Sequence, residues 1–279
     1  TPIHVIPRAV QPEIFDHTIE DDPYEAFLPT NGPRLLCAGR HTREKSQDRV
    51  LRIFAKHVLP EIPTATLTML GVGPDTDDYK RLARELGIMH RVSFPGEVPF
   101  TQMPAFYAYT DVFVHASQSE TYGNVLGEAL YCGTPTVAFA DGMGVSSQLV
   151  DGENGVMLPP GKGLPAELEA DAQFGAAVLE LVADPSLRAR LSRSASRIAR
   201  ERSHPHVVME RVARAFMSAR DHAVVSGLRP AAQGPRVVQW LTTMKHMRPW
   251  GVMNGSMYLI GHLRPGKAVE RPVHPQFAK

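Results

Sequence analysis

Cysteine is scarce: Cys37 and Cys132 are the only two in 279 residues, and both sit in apolar surroundings. Two thiols exclude a disulfide framework and a cysteine-rich metal site; small buried hydrophobes in a reducing compartment are the default. No apolar run approaches the roughly eighteen residues that a spanning helix needs, and no charged-then-apolar secretory leader opens the chain. The net charge is only +1, which gives no general attraction to nucleic acid, and no such partner is expected. No internal repeat is visible. No Gly-x-Gly-x-x-Gly follows the first strand-like run, which argues against a dinucleotide-dependent oxidoreductase. Acids are nearly missing from one region: residues 226–279 hold eight Lys or Arg against Glu270 alone, a local +7 that leaves −6 on the rest. An acidic body with a basic tail is expected.

What is present is a regular alternation. After an extended opening, Ile3 to Phe15, and a polar stretch, Arg34–Gly39 reads as a buried strand. A helix follows over Ser46–Leu59, with apolar positions at Val50, Leu51, Phe54, Val58 and Leu59. Strands at Ala65–Leu70, Arg91–Phe94, Asp111–Ala116 and Thr136–Ala140 alternate with helices near Asp77–Leu86, Thr101–Tyr109 and Asn124–Tyr131. Continuous apolar strands between helices predict a parallel sheet covered on both faces, with ligands at the carboxyl ends of its strands. Beyond Pro160 the pattern is helical: Glu167–Ala183, Pro185–Arg202 and His206–Val225. The fold class is therefore α/β, a Rossmann-like sheet with C-terminal helices and a basic tail. The expected boundaries are 1–30 for a linker-like opening, 31–202 for the Rossmann-like domain, 203–227 for a helix and 228–279 for the tail.

The segment from Ser117 to Gly133 carries the chemistry. Glu120 and Glu128 stand eight apart in a Glu-x7-Glu frame, with Tyr122-Gly123 after the first acid. Around it, in order, run Val5-Ile-Pro7, Gly39-Arg40 with Lys45 five later, Gly71-Val-Gly-Pro74, Val92-Ser-Phe-Pro-Gly96, Asp111-Val-Phe-Val114, Gly133-Thr-Pro-Thr-Val137 and Asp151-Gly-Glu-Asn-Gly155. Each is weak alone, but their order and spacing together are specific. Over residues 5 to about 200 the chain resembles the C-terminal, donor-binding domain of the family-four retaining glycosyltransferases, which have the GT-B fold.

A helix starting near Gly123 offers free N–H groups and the positive end of its dipole to a phosphate. Glu128, five residues in, lies about 7.5 Å along the axis, which suits a carboxylate accepting from ribose hydroxyls. Glu120 is expected to face outward toward the sugar. Two acids beside a diphosphate need intervening cations, and Arg40 and Lys45 supply them. The resemblance implies that Arg40 and Lys45 hold the diphosphate and stabilise the departing nucleotide. It further implies that Glu120, with backbone groups of Tyr122 and Gly123, binds the sugar, and that the Asn124 and Val125 amides face phosphate. Glu128 would take the ribose, and Glu97-Val98 would edge the base. No cofactor and no metal are implied, because protein charge alone meets the leaving group.

Other features have plainer readings. Gly71-Val-Gly-Pro74 reads as a tight turn, and Asp75-Thr76-Asp77 as a helix cap rather than a metal motif. His115 and His41 each fit both a ligand contact and a satisfied core position. The sequence departs from the family at Arg8-Ala9, in place of Asn-Gly, and at Gly142–Ser147, in place of Gly-Gly-x-Pro-Glu. The acceptor-binding domain that the family carries before such an opening is also missing from this sequence. The expected function is donor binding and sugar transfer, with retention, to a glycan or lipid-linked acceptor, inactive without that N-terminal domain. A non-catalytic sugar-nucleotide-binding subunit that needs a partner chain is the alternative. The Trp- and Met-rich basic stretch within 236–264 fits a peripheral contact with the inner membrane face, and equally packing against the absent domain. A cytoplasmic location is expected.

Overall fold

The computed structural model describes residue 4, residues 6–17, residue 19, residues 21–27 and residues 31–225. The elements run in the order α1 Pro12–Phe15, β1 Arg34–Ala38, α2 Gln47–Ile53, β2 Thr66–Leu70, α3 Thr76–Glu85, β3 Val92–Gly96, α4 Met103–Ala108, β4 Val112–His115, α5 Asn124–Cys132, β5 Thr136–Phe139, α6 Gly144–Gln148, β6 Val156–Leu158, α7 Leu164–Ala183, α8 Pro185–Ser203 and α9 Pro205–Val225. All six strands are parallel, in the order β3-β2-β1-β4-β5-β6. This is the doubly wound Rossmann-like arrangement that the sequence predicts. The chain reverses direction across the sheet between β1 and β4, which opens a crevice at their carboxyl ends.

Strand alternation sends side chains to two cores. Leu35, Cys37, Leu67, Met69, Val112, Val114, Val137 and Phe139 pack on one face with Val50, Leu51 and Phe54 and with Phe174, Val178 and Leu181 of α7. Leu36, Ala38, Leu70, Phe113 and Ala138 face the other way, toward Phe106, Leu126, Leu130 and Ala195. Both faces are apolar and buried, so the strands read as continuous apolar runs.

Several expectations need correction. The opening is not a mere spacer: Val10, Phe15 and Tyr24 are buried in the second core, and the Tyr24 hydroxyl donates to the Phe106 carbonyl at 3.1 Å. The helix expected over Ser46–Leu59 stops being α-helical at Ile53 and continues as a π-helical turn, Phe54–Val58. That turn keeps Phe54 and Val58 buried where α7 packs on it; a Cβ on Gly175 would come within 2.3 Å of the His57 Cβ. Asp75 precedes α3, but its side chain caps nothing. Thr76 Oγ1 instead accepts from the Gly73 amide at 2.9 Å and meets His41 Nδ1 at 2.9 Å. Elsewhere capping follows expectation: Asp184 accepts from the Ser186 and Leu187 amides at 2.8 and 2.9 Å, with Pro185 opening α8.

Residues His4–Val212 form one compact unit, and Ala213–Val225, the last turns of α9, belong to a second. No helix among the described residues is long and apolar enough to cross a membrane. The tail 228–279, including the 236–264 stretch, lies outside the described residues.

Candidate active site

β1 delivers Gly39 and Arg40 to the crevice, and a 3-10 turn, Arg43–Lys45, then brings Lys45 back toward it. β4 ends at His115; a loop carrying Glu120 then leads into α5 through Gly123, whose φ of 81° lies in the left-handed region that suits glycine. The Asn124 and Val125 amides precede the first intrahelical bond, from the Gly127 amide to the Gly123 carbonyl at 3.1 Å, and so remain free for a ligand. These pieces surround a cavity of about 160 Å³ lined by Arg40, Lys45, His115, Glu120, Asn124 and Val125, with Cys37 to Gly39 and Gln47 beneath.

Charge is arranged unevenly there. Lys45 Nζ pairs with Glu120 Oε1 at 2.7 Å, while Arg40 is exposed and makes no hydrogen bond or ion pair among the described residues. Burial raises the Glu120 carboxyl, but the nearby His115 and Lys45 outweigh it and hold the group at about 2. It is therefore an anion at neutral pH. Its backbone is fixed as well: the amide donates to Asp141 Oδ2 at 3.0 Å, and the carbonyl accepts from the Gly144 amide at 2.8 Å. The Asp141 carboxylate also accepts from the amides of Met143, Val145 and Ser146 at 2.8, 3.3 and 3.2 Å, which ties the loop after β5 to the Glu120 loop.

Six of the side chains singled out in the sequence thus meet in one cavity: Arg40, Lys45, His115, Glu120, Asn124 and Val125. Glu120 does not face outward as expected; it is 7% exposed, drawn in by its pairing with Lys45. Tyr122 lines a second cavity, of about 680 Å³, shared with Ile6, Pro7, Gln148 and Arg202. The Gln148 amide donates to the Tyr122 carbonyl and, at 3.3 Å, to that of Gly123, holding the entry to α5. Glu128 lines neither cavity. The buried Tyr107 phenol needs an internal acceptor and donates to Glu128 Oε2 at 3.0 Å. Glu97 and Val98 follow the edge strand β3 outside both cavities, Glu97 exposed and Val98 packed on the core.

His41 is a core residue. It is fully buried between Tyr79 and Phe94, and burial pushes it down to about 4. Asp141 and Gln148 were not visible as site residues; the departure at Gly142–Ser147 was the only signal near them.

Residues 19–197, more than half of the chain, match the family of glycosyl transferases, group 1. The chain belongs to this family. Among curated relatives, this group 1 glycosyltransferase chain is 34% identical over 165 residues to the lipopolysaccharide core biosynthesis glycosyltransferase LpsE of Rhizobium meliloti (strain 1021), an overlap of 59% of this chain and 44% of LpsE. Its fold is similar to that of Anabaena Alr3699/HepE, solved in complex with UDP and glucose, with a TM-score of 0.59 at 23% identity over 67% of this chain and 49% of that one. It is similar too to the C-terminal domain of the glycosyl transferase group 1 family protein LpcC from Francisella tularensis. There the TM-score is 0.57 at 19% identity, over 70% of this chain and 99% of that domain. The chain spans less than half the length of relatives such as LpsE, and its sheet is that of one GT-B half.

Proposed function

We propose that this chain is the donor-binding half of a retaining, metal-independent glycosyltransferase of family four. In this reading the diphosphate of a nucleoside diphosphate sugar lies between Arg40, Lys45 and the free amides of α5. Glu120 accepts from hydroxyls of the sugar, with Tyr122 and Gly123 offering backbone groups. Glu128 takes the ribose once the ligand draws it from Tyr107, and Glu97-Val98 edges the base. The observation that carries the reading is the meeting of one unpaired guanidinium, one ammonium and a helix start at the switch point of the sheet. Fixed positive charge of that kind stabilises a leaving diphosphate without reorganisation at the moment of bond cleavage.

The name of LpsE, a lipopolysaccharide core biosynthesis glycosyltransferase, supports a glycan or lipid-linked acceptor; a cytoplasmic location with peripheral contact at the inner membrane face belongs to the same reading. The acceptor itself needs a second wall, so residues 1–279 alone are expected to bind donor and to transfer nothing. Calorimetric titration with UDP, GDP, ADP and NAD, each with and without chelator, tests the reading. Binding of one diphosphate that survives chelation is expected. Binding of NAD alone, or binding abolished by chelator, would refute it.

A further inference from the structure

Two side chains face one oxygen. Lys45 Nζ lies 2.7 Å and His115 Nε2 3.3 Å from the same atom, Oε1 of Glu120. The first contact is a hydrogen-bonded ion pair, but the second is out of alignment, and His115 Nε2 is buried with no hydrogen-bond partner. His115 is 4% exposed, lines the cavity and lies parallel to the Phe113 ring, 16° between planes, so its ring has little freedom to seek another acceptor. Burying a polar nitrogen without a partner is unfavourable, which suggests a state of the site in which that nitrogen is used.

The donor reading, on which this inference rests, supplies such a state. A diphosphate entering beside Arg40 draws the Lys45 ammonium toward itself. Glu120 would then be a nearly buried carboxylate without its cation, which is strongly unfavourable unless another donor replaces it. We propose that His115 is a positioning residue that takes over Glu120, as an imidazolium, when Lys45 turns to the diphosphate, so that nucleotide binding draws one proton from solvent.

The charges around His115 support this order of events. The titratable groups sharing the cavity are Cys37, Arg40, Lys45 and Glu120. Burial pushes the Cys37 thiol up to about 12, so it stays neutral, and Gln47 and Asn124 carry no charge. In the empty site Lys45 already satisfies Glu120, and Arg40 and the positive end of α5 add to the positive charge of the cavity. The incoming diphosphate neutralises that charge and frees Glu120. A proton from solvent then joins Nε2 and forms a charge-assisted hydrogen bond to Glu120 Oε1.

The test is calorimetry of UDP and GDP binding to the full chain in buffers of different ionisation enthalpy between pH 6 and 8.5, for wild type, His115→Gln and His115→Leu. Wild type is expected to take up a substantial fraction of a proton near pH 7, where histidine ordinarily changes charge, and to lose affinity as pH rises. His115→Gln can donate to Glu120 without a proton, so it should abolish this uptake and flatten the profile. His115→Leu should bind roughly tenfold more weakly throughout. The difference between wild type and His115→Gln separates His115 from Glu128 and from the nucleotide's own phosphate. Equal proton uptake in wild type and His115→Gln overturns the hand-over alone. Absence of binding by any nucleoside diphosphate overturns the donor reading with it.

Discussion

Replacing Glu128 by Gln keeps its volume and an acceptor for Tyr107 but removes a charge that its surroundings disfavour. Burial is the largest influence on this carboxyl; the Tyr107 phenol and Arg8 oppose it, and the balance pushes the group up from 4.5 to about 7. An acid shifted in this direction binds more protons folded than unfolded between those values. Its folded form therefore loses stability as pH rises from 4.5 to about 7, and the penalty persists above that range. At about 1.36 kcal/mol per pH unit the interval corresponds to roughly 3 kcal/mol, and partial exposure reduces it to about 1–2 kcal/mol. Glu128→Gln is thus expected to be more stable than wild type by about 1–2 kcal/mol at pH 8 and equal within about 0.5 kcal/mol at pH 4.5. Urea denaturation of the nucleotide-free protein at both values measures this directly. In the same variant nucleotide affinity should fall roughly tenfold, since a hydrogen bond to a charged group is worth about 1.5–3 kcal/mol. A gain of equal size at both pH values, or none at pH 8, would refute the reasoning. On the proposed reading, in which Glu128 takes the ribose, its burial is a stability cost accepted for binding.

Two further perturbations address the loops around the site. Asp141→Asn sets an NH2 group against backbone amides that now donate to a carboxylate, and should cost about 1–3 kcal/mol at pH 7. Although burial raises this carboxyl, the amides of Met143, Ser146, Val145 and Glu120 outweigh it and lower its pKa, so the difference from wild type should shrink as pH falls below the ordinary carboxylate range. Urea midpoints at pH 7 and 3 that differ equally would contradict this. Gly123→Ala meets no close atom, its nearest neighbours being Gln148 Nε2 and Glu120 Cγ at 3.5 Å, so its cost is the backbone strain of a left-handed Ala, about 1–2 kcal/mol. An unchanged denaturation midpoint would remove that argument.

The sheet was legible because its central strands are buried on both faces and hence apolar at most positions. β6 escaped notice because three half-buried residues make no pattern, and α6 because Gly144–Gln148 is small and polar. The π-helical turn was invisible, since Phe54 and Val58 fit an α-helical stripe equally well. In the cavity, what lies within one stretch of chain could be read: the cations after β1, and Glu120 with the helix start that follows it. What depends on residues distant in sequence could not. Nothing in the sequence shows that Lys45 reaches Glu120, that Asp141 anchors the Glu120 amide or that Tyr107 claims Glu128. The opening was misread for the same reason, since Phe15 and Tyr24 find their partners some ninety positions away, at Tyr107 and Phe106.

The loops that follow β1 and β2 keep bonding to one another past the ends of their strands. The Gly39 amide donates to the Leu70 carbonyl, that of His41 to Val72 and that of Asp75 back to His41, at 2.9, 3.1 and 3.2 Å. The two backbones run so close that a Cβ on Gly71 or Gly73 would come within 2.2 Å of the carbonyl oxygen of Gly39 or His41. Arg40 is therefore mounted on a double-stranded support, one half of which belongs to a turn some thirty residues downstream. Variation that would re-aim this guanidinium has to pass through Gly71 and Gly73, which line neither cavity. Engineering confined to residues 40–45 would exchange side chains on a frame whose shape is set elsewhere.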